Sequence, residues 1–350
     1  MQPPDPSTIV AGSPVDLRDT RHRVGLYGWS PGRGGVHFHR IAEPLRVVSE
    51  AGHTAFTGPV LDDKILSTVD TVLAHMIHAD EDSEAWLNLA ALGSHRLVLD
   101  VDDAMWAPDW GVFQDYWTPA RLKSLYRNVG VAHVITTPSP RIAAHLAQFN
   151  PNVWVVPNTV PAWALNIERA ERDWPAVGYQ GSPSHGADWT QADQRAIERW
   201  LQDRPDWHLS LHGSHAGKLD GHPRVHAFGW TSDHRVHYQQ LADNVDIGIG
   251  PLLDTEFNRC KSSLRHIEYA ALGIVSLLPE VQPYHQSSPG GLVPYFTGWL
   301  TSGDLYGDLM QATGYGPTAL ASVGRNARNW AAEHTTETQI TKWTQAWMSV

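Results

Sequence analysis

Cysteine is almost absent from this chain. Cys260 stands alone among 350 residues, which excludes an internal disulfide and any cysteine-rich metal centre. A reducing, cytoplasmic setting is the expectation. Lysine is nearly as scarce, with only Lys64, Lys123, Lys218, Lys261 and Lys342 against 21 arginines. No apolar run reaches about 18 residues, the length that reads as a membrane helix. The start, Met1-Gln2-Pro3-Pro4-Asp5-Pro6, lacks the basic and apolar parts of a signal peptide. There is no short-period repeat, no low-complexity tract and no clean dinucleotide fingerprint. An excess of positive charge is missing too. A net charge of −11 argues against a protein that coats nucleic acid.

What is present describes an ordinary globular protein, with 42% hydrophobic and 18% charged residues. A chain of 350 residues exceeds what one core usually serves, so two domains are expected. Charge is unevenly spread. Arg18, Arg21, Arg23, Arg33, Arg40 and Arg46 stand against Asp19 and Glu43, a local +4 that leaves −15 on the rest. Such a patch suits one anionic partner at one place, or is a solvated cluster without a ligand.

Residues 1–20 are rich in Pro, Asp and Ser and read as a flexible N-terminal tail. Strands are predicted at Val24–Trp29, from Gly52 to Phe56, and at Thr71–Met76, Leu97–Val101, Ala132–Thr137 and Val153–Val156. Helices are predicted at His39–Ala51, Ser83–Leu92, Pro119–Val129 and Pro140–Gln148. A second alternating series follows the polar stretch 166–173. Its strands are at 177–181, His208–Leu211, Val225–Phe228, Val245–Gly250 and Val275–Leu278, with helices at Thr190–Gln202, Arg235–Ala242 and Ser262–Leu272. Strands alternating with helices indicate parallel sheets covered on both faces. The expected class is α/β, with two Rossmann-like domains facing across a cleft: residues 21–170, then 171–334. An amphipathic helix at 335–350 would cross back to the first domain.

The densest chemistry lies in Phe257-Asn258-Arg259-Cys260-Lys261-Ser262-Ser263-Leu264-Arg265-His266-Ile267-Glu268, which runs on to Gly273. At helical spacing Lys261, Arg265 and Glu268 project from roughly one side. Amides and the positive dipole end at Lys261–Ser263 suit a phosphate, and Glu268 is placed for ribose hydroxyls. The same pattern also describes a buried helix with one solvated Lys–Glu face.

With that organisation, the second half resembles the GT-B nucleotide-sugar glycosyltransferases, above all the large retaining family that includes sucrose synthases and cell-envelope hexosyltransferases. Three stretches carry the likeness. Gly178-Tyr179-Gln180-Gly181-Ser182-Pro183-Ser184-His185-Gly186-Ala187-Asp188 looks like the loop that opens the donor domain. Val225-His226-Ala227-Phe228-Gly229-Trp230 is similar to the stretch lying against the nucleotide base. Asp246–Leu252 and the segment from Lys261 look like the pyrophosphate and ribose site. The resemblance implies donor-binding roles for Gly181, Ser182, His185, Phe228, Gly229, Lys261, Ser262, Ser263, Arg265 and Glu268. One departure stands out: many members carry an acid eight positions before the ribose-binding glutamate, where this chain has Cys260.

In the first half, Leu97-Val98-Leu99-Asp100-Val101 runs into Asp102-Asp103-Ala104-Met105-Trp106, with acids at a strand's carboxyl end, where α/β clefts open. This resembles an Asp-x-Asp-Asp-x-x-Trp stretch in some of these transferases. Hard oxygen ligands of this kind also suit a divalent ion, and plain turn or capping roles account for at least one such aspartate as well. The resemblance implies no metal, because basic groups and helix N-termini hold the pyrophosphate. His75, Asp102 and Asp103 are the catalytic candidates. Arg33, Gly34, Gly35 and Arg40 are the acceptor-binding candidates, with glycines allowing close backbone approach and arginine meeting an anion.

The expected function is transfer of a sugar from a nucleoside diphosphate sugar to an anionic acceptor, with retention and without a further cofactor. The acceptor would be a phosphate-linked lipid, modified DNA or a phosphorylated metabolite. A phage-type DNA glycosyltransferase, a nucleotide-sugar epimerase or phosphorylase of the same fold, and a non-catalytic nucleotide-sugar binding module remain as alternatives.

Overall fold

Runs such as Val72-Leu73-Ala74 and Leu97-Val98-Leu99 carry no polar face, so a strand built from them must be covered on both sides. A computed structural model describes residues 24–31, 35–107, 115–182, 185, 188–213, 219, 221–284 and 297–348. It places these runs inside parallel sheets. β1 (Gly25–Trp29), β2 (Thr54–Gly58), β3 (Thr71–His75), β4 (Arg96–Asp100), β5 (Val134–Thr137) and β6 (Val153–Val155) form one sheet in the order β2-β1-β3-β4-β5-β6. β7 (Ala176–Gly181), β8 (His208–Gly213), β9 (Val225–Phe228), β10 (Ile247–Ile249), β11 (Val275–Pro279) and β12 (Gly298–Thr301) form the other, in the order β12-β11-β10-β7-β8-β9. Every pairing within both sheets is parallel.

The second order is the doubly wound one, in which the winding reverses between β7 and β10. The first reverses between β1 and β3. Ligands of open α/β sheets bind beyond the carboxyl ends of the strands at such a reversal. Two compact units result, one of residues 24–106, 117–159 and 336–348, the other chiefly of 160–335.

In the second unit the helix Gln191–Asp203 starts from a reciprocal cap. Asp193 N–H donates to Thr190 Oγ1 at 3.1 Å, and Thr190 N–H donates to the Asp193 carboxylate at 2.8 Å. Ile197, Trp200 and Leu201 of this helix cover one face of the sheet. Tyr238, Leu241 and Tyr269 belong to a second buried cluster with Ala327.

In the first unit the helix Thr336–Met348 contributes Trp343 and Trp347, both fully buried, to a core with Leu26, Ile41, Leu45 and Leu73. A tryptophan removing about 200 Å² from water, at about 25 cal/mol per Å², contributes on the order of 5 kcal/mol. This helix is therefore an integral part of that core.

The predicted helix His39–Ala51 differs in detail. A helical turn at Gly35–His37 runs into a π-helical stretch, Phe38–Ala42, before the α-helix Glu43–Glu50. Pro44 has no N–H to return to the carbonyl of residue 40, and the ladder widens just ahead of it, with Glu43 N–H reaching back to Phe38. His39, Arg40 and Ile41 are turned into the interior as a result. Among the described residues no helix is long and apolar enough to cross a membrane.

Candidate functional site

At the carboxyl end of β10 the chain has Gly250, and Arg265 lies across it. A Cβ there would come within 2.7 Å of Arg265 Cδ and 2.8 Å of its Nη1. The guanidinium also sits 5.7 Å from the ring centre of Tyr179 in β7, and Nη1 donates to Tyr284 Oη at 3.4 Å. Arg265 therefore stands at the winding reversal between β7 and β10. Lys261 precedes the helix Leu264–Ala271, with its ammonium 4.4 Å from the centre of the Phe257 ring. Ser262 and Ser263 lie between them. Ser263 takes the N-cap position, but its side chain accepts no capping bond.

His185, in the loop after β7, belongs to the same group. Its imidazole is held below the ordinary value by burial and then by the charges of Lys261 and Arg265, so the ring is neutral. Nδ1 lies 2.9 Å from Asp188, which also accepts from Asn258 Nδ2 at 2.6 Å and from Leu253 N–H at 3.1 Å. Burial works against the Asp188 charge, and the His185 hydrogen bond leads the contacts that outweigh it, so this carboxyl stays below the usual range.

Glu268 sits deeper, 8% exposed. Gln180 Nε2 donates to it at 3.0 Å and Tyr238 Oη at 3.1 Å, while Gln180 Oε1 pairs with His237 Nε2 at 2.8 Å. The structure thus brings Glu268 against the end of β7. Gly181 and Ser182 close that strand. Gly213, paired with Gly181 in β8, has φ +80° and leaves no room for a side chain against the Gly181 carbonyl, 2.5 Å from where a Cβ would stand. Phe228 ends the edge strand β9, stacked on His212 at 4.7 Å, and Gly229 follows with open space around it.

The donor-binding candidates therefore fall along one end of one sheet. Asp188, Asn258, Gln180 and Tyr238 were not singled out as site residues in the sequence. His185-x-x-Asp188 was a local signal, whereas Asn258 lies seventy positions from the carboxylate it bonds.

In the first unit, His75 closes β3 beside Asp100 of β4, and its Nε2 meets Asp102 Oδ1 at 2.8 Å. Burial pulls the imidazole down, but the Asp102 carboxylate and then Asp100 outweigh it, and His75 is raised above the ordinary value. The next residue, Met76, holds φ 53° while 92% buried, a strained backbone position for a side chain of its size. Asp103 is half-buried, and its carbonyl accepts Met105 N–H at 3.1 Å. Among the described residues no group of three or more His, Cys, Asp or Glu converges as metal ligands.

Of the acceptor-binding candidates, Arg33 and Gly34 lie outside the described residues, and Gly35 opens the helical turn Gly35–His37. Arg40 is corrected by the structure. Its side chain is fully buried, with Nε and Nη2 on Asp100 (3.1 and 2.7 Å) and Nη1 on the Val156 carbonyl and Asn158 Oδ1 (2.6 and 3.0 Å). Trp343 covers the guanidinium at 4.4 Å. An arginine so enclosed meets no acceptor. Arg46 is likewise spent, on Glu43, Glu50 and Glu337. Arg18, Arg21 and Arg23 lie outside the described residues.

No family model matches the chain, and no curated protein does. Solved structures do. A sucrose-phosphate synthase from Thermosynechococcus elongatus superposes with a TM-score of 0.64 at 14% identity, over 92% of this chain and 98% of that one. HepE from Anabaena, in complex with UDP and glucose, gives 0.60 at 13% identity over 92% and 98%. The chain has the GT-B fold. A putative UDP-N-acetylglucosamine 2-epimerase from Listeria monocytogenes shares it less closely, with a TM-score of 0.53 at 12% identity over 91% and 94%. At such identities the likeness is one of fold, and a GT-B fold carries more than one chemistry.

Proposed function

We propose that the chain is a glycosyltransferase that takes its sugar from a nucleoside diphosphate sugar bound at the carboxyl end of the second unit's sheet. The observation that carries this reading is the gathering of Arg265, Lys261 and His185 at the β7/β10 reversal, with Glu268 behind them. Lys261, Arg265 and the first amides of the helix Leu264–Ala271 face a pyrophosphate, and Glu268 takes ribose hydroxyls. As the glycosidic bond breaks, charge grows on the leaving diphosphate, and fixed cations aimed there stabilise that charge without reorganising. HepE, whose solved structures hold UDP and UDP-glucose, supports a uridine donor as the first to try.

Retention of configuration, without a protein nucleophile, and independence of a metal or further cofactor complete the proposal. They rest on the resemblance in the Lys261–Glu268 segment. The first unit is assigned the acceptor, with His75, oriented by Asp102, as its candidate catalytic group. With Arg40 and Arg46 paired internally, an anionic acceptor rests on Arg33 and the arginines upstream of it.

The test is incubation with radiolabelled UDP-, GDP-, ADP- and dTDP-hexoses and a panel of lipid-phosphate, phosphorylated-sugar and modified-DNA acceptors. The expected result is release of one nucleoside diphosphate with label passing to one acceptor class. Interconversion of the sugar without transfer would make the chain an epimerase instead, and binding without turnover a non-catalytic module.

A further inference from the structure

One carboxylate fastens the loop after β7 to the segment after β10. Asp188, 5% exposed, receives His185 from its own loop and, across the winding reversal, the side chain of Asn258 and the backbone of Leu253. Asn258 is itself 4% exposed and spends its other amide hydrogen on the Leu253 carbonyl at 3.0 Å. An ionised Asp188 fixes the tautomer of its neighbour, because Nδ1 must carry the hydrogen that Asp188 accepts. Nε2 is then left with a lone pair, and it bonds none of the described residues. The charged groups facing the ring are Asp188 from its own loop and Lys261 and Arg265 from the segment opposite.

Two cations around a neutral base form an arrangement that an arriving polyanion alters. Once a diphosphate cancels the Lys261 and Arg265 charges, burial alone still opposes a third positive charge, and the phosphate beside the ring attracts one. Asp188 remains in place to support it.

We infer that His185 is the proton-coupled group of the donor site: binding of a nucleoside diphosphate carries one proton onto His185 Nε2, and the imidazolium, positioned by Asp188 and Asn258, donates that hydrogen to the terminal phosphate. This rests on the donor-site reading above. The proton comes from solvent, the Nε2 lone pair forms the new N–H bond, and no covalent bond of the protein breaks. A free diphosphate bears one more negative charge than its sugar ester, so the coupling is stronger for the leaving group than for the intact donor. An interaction that strengthens in this way lowers the barrier to transfer.

Calorimetry on the full chain tests this, with UDP, GDP, ADP and dTDP each titrated at neutral pH in phosphate and in Tris buffer. The dependence of the observed heat on the buffer's ionisation enthalpy counts the protons taken up. Nucleotides are nearly fully ionised at that pH, so binding their anionic form can only release protons. A net uptake must therefore come from the protein. The wild type is expected to take up a fraction approaching one proton per nucleotide bound. The variants H185Q and H185N should take up none while still binding through Lys261 and Arg265, and D188N should show reduced uptake. Heat that does not depend on buffer in the wild type, or uptake that persists without His185, overturns the inference and leaves the donor site standing. Failure of all four nucleotides to bind overturns the donor-site reading and the inference with it.

Discussion

The guanidinium of Arg265 occupies the space that a side chain on Gly250 would need. A Cβ there would stand 2.7 Å from Arg265 Cδ and 2.9 Å from Leu278 Cδ2. Gly250→Ala should therefore push the arginine off the end of β10. The guanidinium can swing away, but the buried Leu278 must also give, so the melting temperature should fall modestly. Affinity for a nucleoside diphosphate should fall by about 1.5–3 kcal/mol, the range for a hydrogen bond to a charged group. Calorimetry on the alanine variant checks this, and wild-type affinity would place the pyrophosphate elsewhere.

Glu268 is expected to affect both binding and stability. Glu268→Ala strands the Gln180 amide and the Tyr238 hydroxyl, both buried partners, at a cost of about 1–3 kcal/mol. It should also erase the preference for UDP over its 2′-deoxy counterpart. Denaturant unfolding reads the first effect and competitive titration the second. If discrimination survives the substitution, another residue contacts the ribose.

Arg40 should behave as part of a core. Removing one partner of a fully buried ion pair costs about 3–5 kcal/mol, because the other charge is left unpaired. Arg40→Ala should lower the denaturant midpoint accordingly, and Asp100→Asn should do so to a similar degree. An Arg40→Ala protein of unchanged stability but weakened acceptor affinity would return Arg40 to the acceptor surface.

These residues show what could be read from sequence and what could not. The alternation of strands and helices was legible because apolar runs such as Leu97-Val98-Leu99 and the helical spacing of Lys261, Arg265 and Glu268 are local patterns. β9 matches its predicted span, Val225–Phe228. The burial of Arg40 was not legible, since its carboxylate lies sixty positions away in β4 and the turn ahead of Pro44 decides which way it points. The same holds for Asn258 on Asp188. β12 is a four-residue edge strand, too short to show a period, whereas the helices Leu305–Ala312 and Pro317–Ala331 carry an amphipathic pattern that was legible and went unread.

Acid should weaken the second unit through His266. Its ring is fully buried, bonded to Ser276 Oγ at 2.8 Å, and burial pushes its pKa down to about 3 from an ordinary 6.5. The folded form is neutral while the unfolded chain takes a proton. This contribution is therefore whole above pH 6.5 and is lost as pH falls toward about 3, at up to about 1.4 kcal/mol per pH unit. His75, raised by Asp102, acts in the opposite sense: its contribution is whole below 6.5 and is lost as pH rises through its folded value. Stability of the wild type and of His266→Gln, measured by denaturant unfolding from pH 7 to pH 5, should differ in slope. Parallel slopes would remove His266 from the acid response.

The most direct measurement is UDP affinity by calorimetry for the wild type beside Lys261→Ala and Arg265→Ala, with GDP, ADP and dTDP as comparisons. A donor site at the β7/β10 reversal requires that one nucleoside diphosphate bind the wild type and that each substitution weaken it by about tenfold or more, the equivalent of at least about 1.4 kcal/mol. Binding that is indifferent to both substitutions, or no binding by any of the four, would contradict a nucleotide-sugar site in this chain.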